Sequence, residues 1–252
     1  MNVWVLLLAL ALGGTARAAD TRHSGLDDMS PALQALQRDD SQNPTFLSVQ
    51  DGAALWRATA GKAAKACADC HGDAARSMSG VAARYPAWDD ASTGPLNLAG
   101  RVNTCRIRHQ QTAPLPAEHL DQLALLAYVG LQSRGMPMAP PADPRLAPLR
   151  AQGQTLWQQR LGQLNLACTH CRDQHASAKL AGATIPQGHA TGCPSYRFEW
   201  QAMVSPQRRL RACVVGVRAE RWGPDAPEWL MLEAWLAQRA WGMAVVTPAA
   251  RP

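Results

Sequence analysis

Cys67, Cys70 and His71 stand together in the stretch CADCHGD, and Cys168 and Cys171 recur in CTHCRDQ. Two thiols separated by two residues and followed at once by a histidine can close two thioethers on a porphyrin and give its iron one imidazole. That is the arrangement of a c-type haem. A zinc half-site would want a second ligand pair at similar spacing, and a redox Cys-x-x-Cys would want a thioredoxin-like strand pattern; neither follows. The second stretch has Arg172 where the histidine belongs. A guanidinium stays protonated and has no lone pair for a metal, so one covalent haem is expected, in the first half.

An iron held by His71 needs a ligand on its other face. Met136 and Met138, in GMPM, offer thioethers late in the first half, and Cys105 offers a thiolate. Near the second pair of thiols, His170 is pinned between the two cysteines and His175 is displaced by a turn, so both read as surface histidines. Further along, Arg208, Arg209 and Arg211 lead into Cys213. Fixed guanidinium charge suits a small dianion, and a thiolate among arginines is a competent nucleophile.

The elements that position these groups are doubled. Gly52, Leu55, Trp56, Cys67 and Cys70 recur at the same spacings as Gly153, Leu156, Trp157, Cys168 and Cys171. RVNTC, ending at Cys105, matches RLRAC, ending at Cys213, and LLAYVGLQSRGM (125–136) matches LEAWLAQRAWGM (232–243). The stretch between each tryptophan and its first cysteine has few β-branched residues, which favours helix, and alternating strand patterns are nearly absent. The reading is a mainly α chain of two small cytochrome c-like domains related by an internal repeat. Residues 47–138 form the first domain and 151–252 the second. A Pro-rich linker spans 139–150, and a polar N-terminal arm spans 19–46.

The 252 residues are 47% hydrophobic and 17% charged, enough for two ordinary cores. The opening MNVWVLLLALALGGTARAAD has a short apolar run followed by the A-x-A pattern Ala16-Arg17-Ala18, although no Lys or Arg precedes it. It reads as a cleaved signal over residues 1–18, which places the mature chain in the periplasm with no membrane span. Seven cysteines, an odd number, do not fit a purely disulfide account. The net charge of +6 suits anionic small molecules or an acidic partner, and no nucleic-acid motif is present.

With GHATGCPSYRFEW (188–200) and QRRLRACVVGVRAERW (207–222) in view, the whole chain resembles the SoxA family, the larger subunits of the SoxAX cytochromes of bacterial sulfur oxidation. The carrying residues are QGH, YR-EW and RRLR-C-VGVRAE, and CRIRHQQ resembles the diheme branch. The resemblance implies an L-cysteine S-thiosulfotransferase: a complex with a SoxX-type small cytochrome subunit that joins thiosulfate oxidatively to a cysteine of the SoxYZ carrier. Electrons pass to c-type haem and on to an acceptor cytochrome. Carried over by position, haem 1 is attached at Cys67 and Cys70 and ligated by His71 and Cys105. Haem 2 would be attached at Cys168 and Cys171 with Cys213 on its iron. Cys213 would be the catalytic cysteine, carrying a persulfide, and Arg209 the substrate arginine. His189, in QGH, reads as structural or substrate-facing. Arg172 departs from the family's proximal histidine, and Cys193 stands where the family has an aromatic residue. The alternative reading is a SoxA-derived electron-transfer or partner-binding subunit that has lost turnover. Without haem 2, Cys168, Cys171, Cys193 and Cys213 make an even set that would permit disulfides.

Overall fold

The computed structural model describes residues 20–252, so the expected signal segment lies outside the described residues. In chain order the α-helices are α1 (Pro31–Arg38), α2 (Thr45–Arg57), α3 (Cys67–His71), α4 (Ala74–Ser77), α5 (Leu98–Cys105), α6 (Leu120–Leu131), α7 (Ala147–Gln158), α8 (Cys168–Arg172), α9 (Pro206–Gly216) and α10 (Pro227–Arg239). Among the described residues, no helix is long and apolar enough to cross a membrane.

Each half is framed by two helices crossing at a glycine. Gly52 in α2 lies against α6 so closely that a Cβ would sit 2.1 Å from the Ala124 carbonyl oxygen. Gly153 in α7 lies against α10 in the same way, 2.0 Å from the Met231 carbonyl oxygen. The tryptophans one helical turn on, Trp56 and Trp157, are buried at 5% and 3% exposure. The loop from each tryptophan to its thiols is then pinned to the segment that follows the helix carrying the third cysteine. Lys62 and Ala63 donate to the Gln111 and Gln110 carbonyls, and Gln163 and Leu164 donate to those of Arg218 and Val217. These four bonds set Cys67 and Cys70 opposite Cys105, and Cys168 and Cys171 opposite Cys213.

Strands do occur, contrary to the sequence pattern: β1 (Ala87–Asp89), β2 (Gly94–Leu96), β3 (Lys179–Leu180), β4 (Ala183–Thr184), β5 (Ser195–Arg197), β6 (Ala202–Val204) and β7 (Ala249–Arg251). At two or three residues each, they are too short for an alternating pattern to register. β1 pairs antiparallel with β2, and β5 with β6 in the same relative register; β7 adds to β5 in parallel. The polar arm is also more ordered than its composition suggests. Ser30 caps α1 with Pro31 behind it, and Leu26 and Met29 are buried. Gln37 donates to Val246 O, Asn43 to Pro248 O and Thr45 to Ala249 O, which ties the arm to the C-terminal strand. The linker is likewise structured. A 3-10 turn at Pro144–Leu146 runs straight into α7, and Leu146 is 1% exposed.

The two Gly-Met segments meet each other. Gly135 donates to Val245 O, Met138 to Met243 O, Gly242 to Met138 O and Val245 to Met136 O, a short antiparallel ladder between the halves. Met138 is buried against Ala83, Ala237, Ala240 and Val245, with Met243 packed beside them.

Candidate functional site

In the first half, α3 carries Cys67, Cys70 and His71, and α5 ends at Cys105. The α3 N-terminus is fixed by Ala66 N–H donating to Asp69 Oδ2 at 2.7 Å, and Trp56 Nε1 donates to Gly72 O at the other end. The Trp56 and His71 rings are 5.7 Å apart. Burial raises the Cys67 thiol pKa, with the Cys105 charge next, and burial raises Cys105 as well. A π-helical turn, Arg106–Gln110, follows Cys105, and Gln110 reaches back to Lys65 O at 2.9 Å. This donor set fits a c-type haem: two thiols on one short helix, an exposed imidazole after them, and a facing thiol on a separate helix. Of the two methionines considered as iron ligands, Met138 is core, while Met136 packs its thioether at Ser79 and Gly80.

The second half repeats the scaffold and changes the chemistry. His170 takes the part of Asp69, its Nδ1 accepting from Ala167 N–H at 3.0 Å, so it is a helix cap and not an iron ligand. His175 Nδ1 contacts His170 O at 2.5 Å. His189 Nε2 contacts Gln187 Oε1, and burial, then the Arg239 charge, lowers its pKa to about 4. Trp157 Nε1 donates to Asp173 Oδ2 where Trp56 used a carbonyl, and Arg239 closes on the same carboxylate at 2.7 Å.

Arg172 does not point away. Its Nη1 donates to Pro186 O at 3.1 Å and its Nη2 lies 3.5 Å from Cys213 Sγ. The side chain at the proximal-histidine position therefore already contacts the Cys213 sulfur, and it has no lone pair to ligate an iron. These residues do not fit a second haem. Among the described residues no disulfide joins Cys168, Cys171, Cys193 or Cys213. Burial, then the Cys213 charge, pushes Cys168 up to about 11; burial, then Glu233, pushes Cys193 up to about 11. Cys213 is exposed, on α9, which is capped by the Ser205 hydroxyl accepting from Arg208 N–H. Arg208 and Arg209, on the helix that carries the thiol, lie 5.1 and 5.4 Å from the centre of the Trp200 ring, which gathers their charge. A cleft of about 410 Å³ is lined by Arg172 together with Arg22, Asp173, Gln187, His189 and Arg239.

Sequence reasoning missed one carboxyl here. Glu233 on α10 receives Asn97 Nδ2 on both oxygens at 3.1 Å, linking the two halves, and burial raises its pKa to about 7. A carboxyl whose folded pKa exceeds its unfolded value stabilises the fold below the unfolded value, and that contribution is lost as pH rises through the folded one. The contribution of Glu233 is therefore full below about 4.5 and gone above about 7. Melting curves across that window should show wild type losing more stability than Glu233→Gln, which has nothing to ionise. Parallel curves would mean that Glu233 is charged throughout.

The comparisons with known proteins agree with this architecture. The model of the SoxA/TsdA cytochrome c domain matches twice, at residues 51–138 and 152–245. The chain is 36% identical over 240 residues to the L-cysteine S-thiosulfotransferase subunit SoxA of Pseudaminobacter salicylatoxidans, covering 95% of this chain and 80% of that one. It is 30% identical over 226 residues to the subunit of the same name from Paracoccus pantotrophus, covering 90% and 78%. The crystal structure of SoxXA from P. pantotrophus superposes with a TM-score of 0.87 at 28% identity, covering 92% of this chain and 87% of that one. Two matched cytochrome c domains, relatives along nearly the whole length and a shared fold place this chain in the SoxA/TsdA cytochrome c family.

Proposed function

We propose that the chain is the thiosulfotransferase subunit of a periplasmic sulfur-oxidation complex, working with a SoxX-type cytochrome to conjugate thiosulfate to a SoxYZ-type carrier cysteine. The observation that carries this reading is Cys213, an exposed thiol one helical turn after Arg209, with guanidinium groups on two sides. The carrier thiol and thiosulfate join through a new sulfur–sulfur bond, releasing one proton and two electrons. Arg209 holds the sulfonate end of thiosulfate with a charge-assisted fork, and Cys213, as a persulfide, handles the sulfane sulfur. Haem c, held by thioethers to Cys67 and Cys70 with His71 and Cys105 on its iron, supplies a one-electron acceptor when bound. With haem bound there, the chain would hand electrons to its partner subunit and an acceptor cytochrome. The domains proposed are 47–138 for the haem-bearing half and 151–252 for the catalytic half, the latter without haem.

The test is mass spectrometry of the carrier after incubation with thiosulfate, the complex and an electron acceptor. Wild type should add one thiosulfonate group to the carrier. If it binds its partners and leaves the carrier unmodified, the second reading stands, an electron-transfer or partner-binding subunit without turnover, which Arg172 at the iron position favours. The ligand of the first iron has its own check. Cys105→Ala should abolish the thiolate features of the haem spectrum and Met136→Ala should leave them intact; the reverse result returns the ligand to the Gly-Met segment.

A further inference from the structure

The stretch from Tyr85 to Cys105 can be laid over the stretch from Cys193 to Cys213 at one constant spacing, which pairs Tyr85 with Cys193, Arg101 with Arg209 and Cys105 with Cys213. The strand registers agree, since Asp89 faces Gly94 as Arg197 faces Ala202. The same spacing therefore pairs Asp89 with Arg197, and here the charge inverts. In the first half, Asp89 takes Arg101 on one oxygen at 2.9 Å and Arg108 on the other at 3.1 Å, so the arginine a turn before Cys105 is neutralised. In the second half the corresponding position adds a cation. Among the described residues, Arg209 has no ion pair.

Arg197 is 8% exposed, and its Nε is buried without a hydrogen-bond partner. Among the described residues its one carboxylate contact is Glu199 at 3.4 Å, itself 65% exposed and well screened. Its guanidinium stands 5.6 Å from the centre of the Trp200 ring that also gathers Arg208 and Arg209. Burial and the Arg209 charge both weigh against its protonated form; the hydrogen bond to Glu199 and the Glu199 charge favour it, and charge on Cys213 does so to a lesser degree. A cation under-compensated inside a fold destabilises that fold, and such a group persists where a bound partner supplies the missing charge. Arg172 adds a further cation on the sulfur itself.

We propose that Arg197 is a specificity-determining residue of the Cys213 site, a buried positive charge that selects a small dianionic sulfur oxyanion over monoanions. The inference rests on the functional reading above and names the charge class of its ligand. Arg209 makes the fork to the anion, and Arg197 acts behind it as a positioning charge. The first half, with Asp89 in this place, is closed to such a ligand.

The test uses the full haem-bearing chain with its partner subunit and follows thiosulfate binding by calorimetry, with sulfate and nitrate as competitors. Wild type should bind thiosulfate saturably and be competed by sulfate far better than by nitrate. Arg197→Met should weaken binding by about tenfold or more. Because it removes a poorly compensated buried charge, it should not lower the melting temperature. Arg197→Lys should recover part of the affinity, and Arg197→Asp, which recreates the first half's pattern, should lose it. Equal binding by wild type and Arg197→Met overturns the proposal, as does a fall of several degrees in melting temperature, which would make Arg197 structural. If wild type conjugates the carrier while these results fail, only the role of Arg197 falls; if wild type neither binds nor conjugates, the functional reading falls with it.

Discussion

Arg209→Ala is expected to slow thiosulfate conjugation to the carrier cysteine by roughly one to three orders of magnitude, with Cys213→Ala abolishing it. The size follows from what replaces the arginine. A guanidinium held against Trp200 can grip two sulfonate oxygens at once, and among the described residues no carboxylate competes for it. Alanine leaves the dianion to the charges of Arg172 and Arg197, without the arginine one helical turn before the thiol. Lysine in place of Arg209 keeps the charge and loses the fork, so it should restore part of the rate. The measurement is carrier mass gain against time, with partner subunit and acceptor in excess. A Cys213→Ala protein as active as wild type would remove this thiol from the chemistry, whatever Arg209 does.

The second large effect concerns cofactor content. Wild type should carry one covalent haem, and Arg172→His should carry two. The substitution completes a Cys-x-x-Cys-His sequence on α8 and at the same time withdraws the guanidinium that now contacts the Cys213 sulfur. Cys213 would then face an iron, and its alkylation by iodoacetamide in the native protein should fall. Pyridine haemochrome absorbance and intact mass give the count independently. Two haems in wild type would show that Arg172 swings out when the porphyrin enters, and one haem in Arg172→His would show that more than this side chain bars the site.

Much of the frame was legible in the residues because it depends on letters that repeat: the glycine at each helix crossing, the tryptophan after it, the Cys-x-x-Cys and the arginine before the third cysteine. The strands were not, since two or three residues cannot display a period. The arm read as polar because its buried residues, Leu26, Met29 and Gln37, are scattered among exposed ones. At the site, the missing histidine was visible at once, but the contact of Arg172 with a thiol far along the chain was not, since nothing in spacing links them. The exchange of Asp89 for Arg197 was written in both halves. A repeat shows itself through identical letters, and a reversal of charge is a difference.

The crossing of α2 with α6, and of α7 with α10, at a bare glycine backbone involves no thiol and no porphyrin. Each half thus has a keystone of its own, set by peptide against peptide. A duplicated ancestor built this way could let one copy drift from its pigment without collapse, because the vault stands before the lamp is hung. The same arrangement bears on biogenesis: each half can reach its helical frame before any porphyrin is attached.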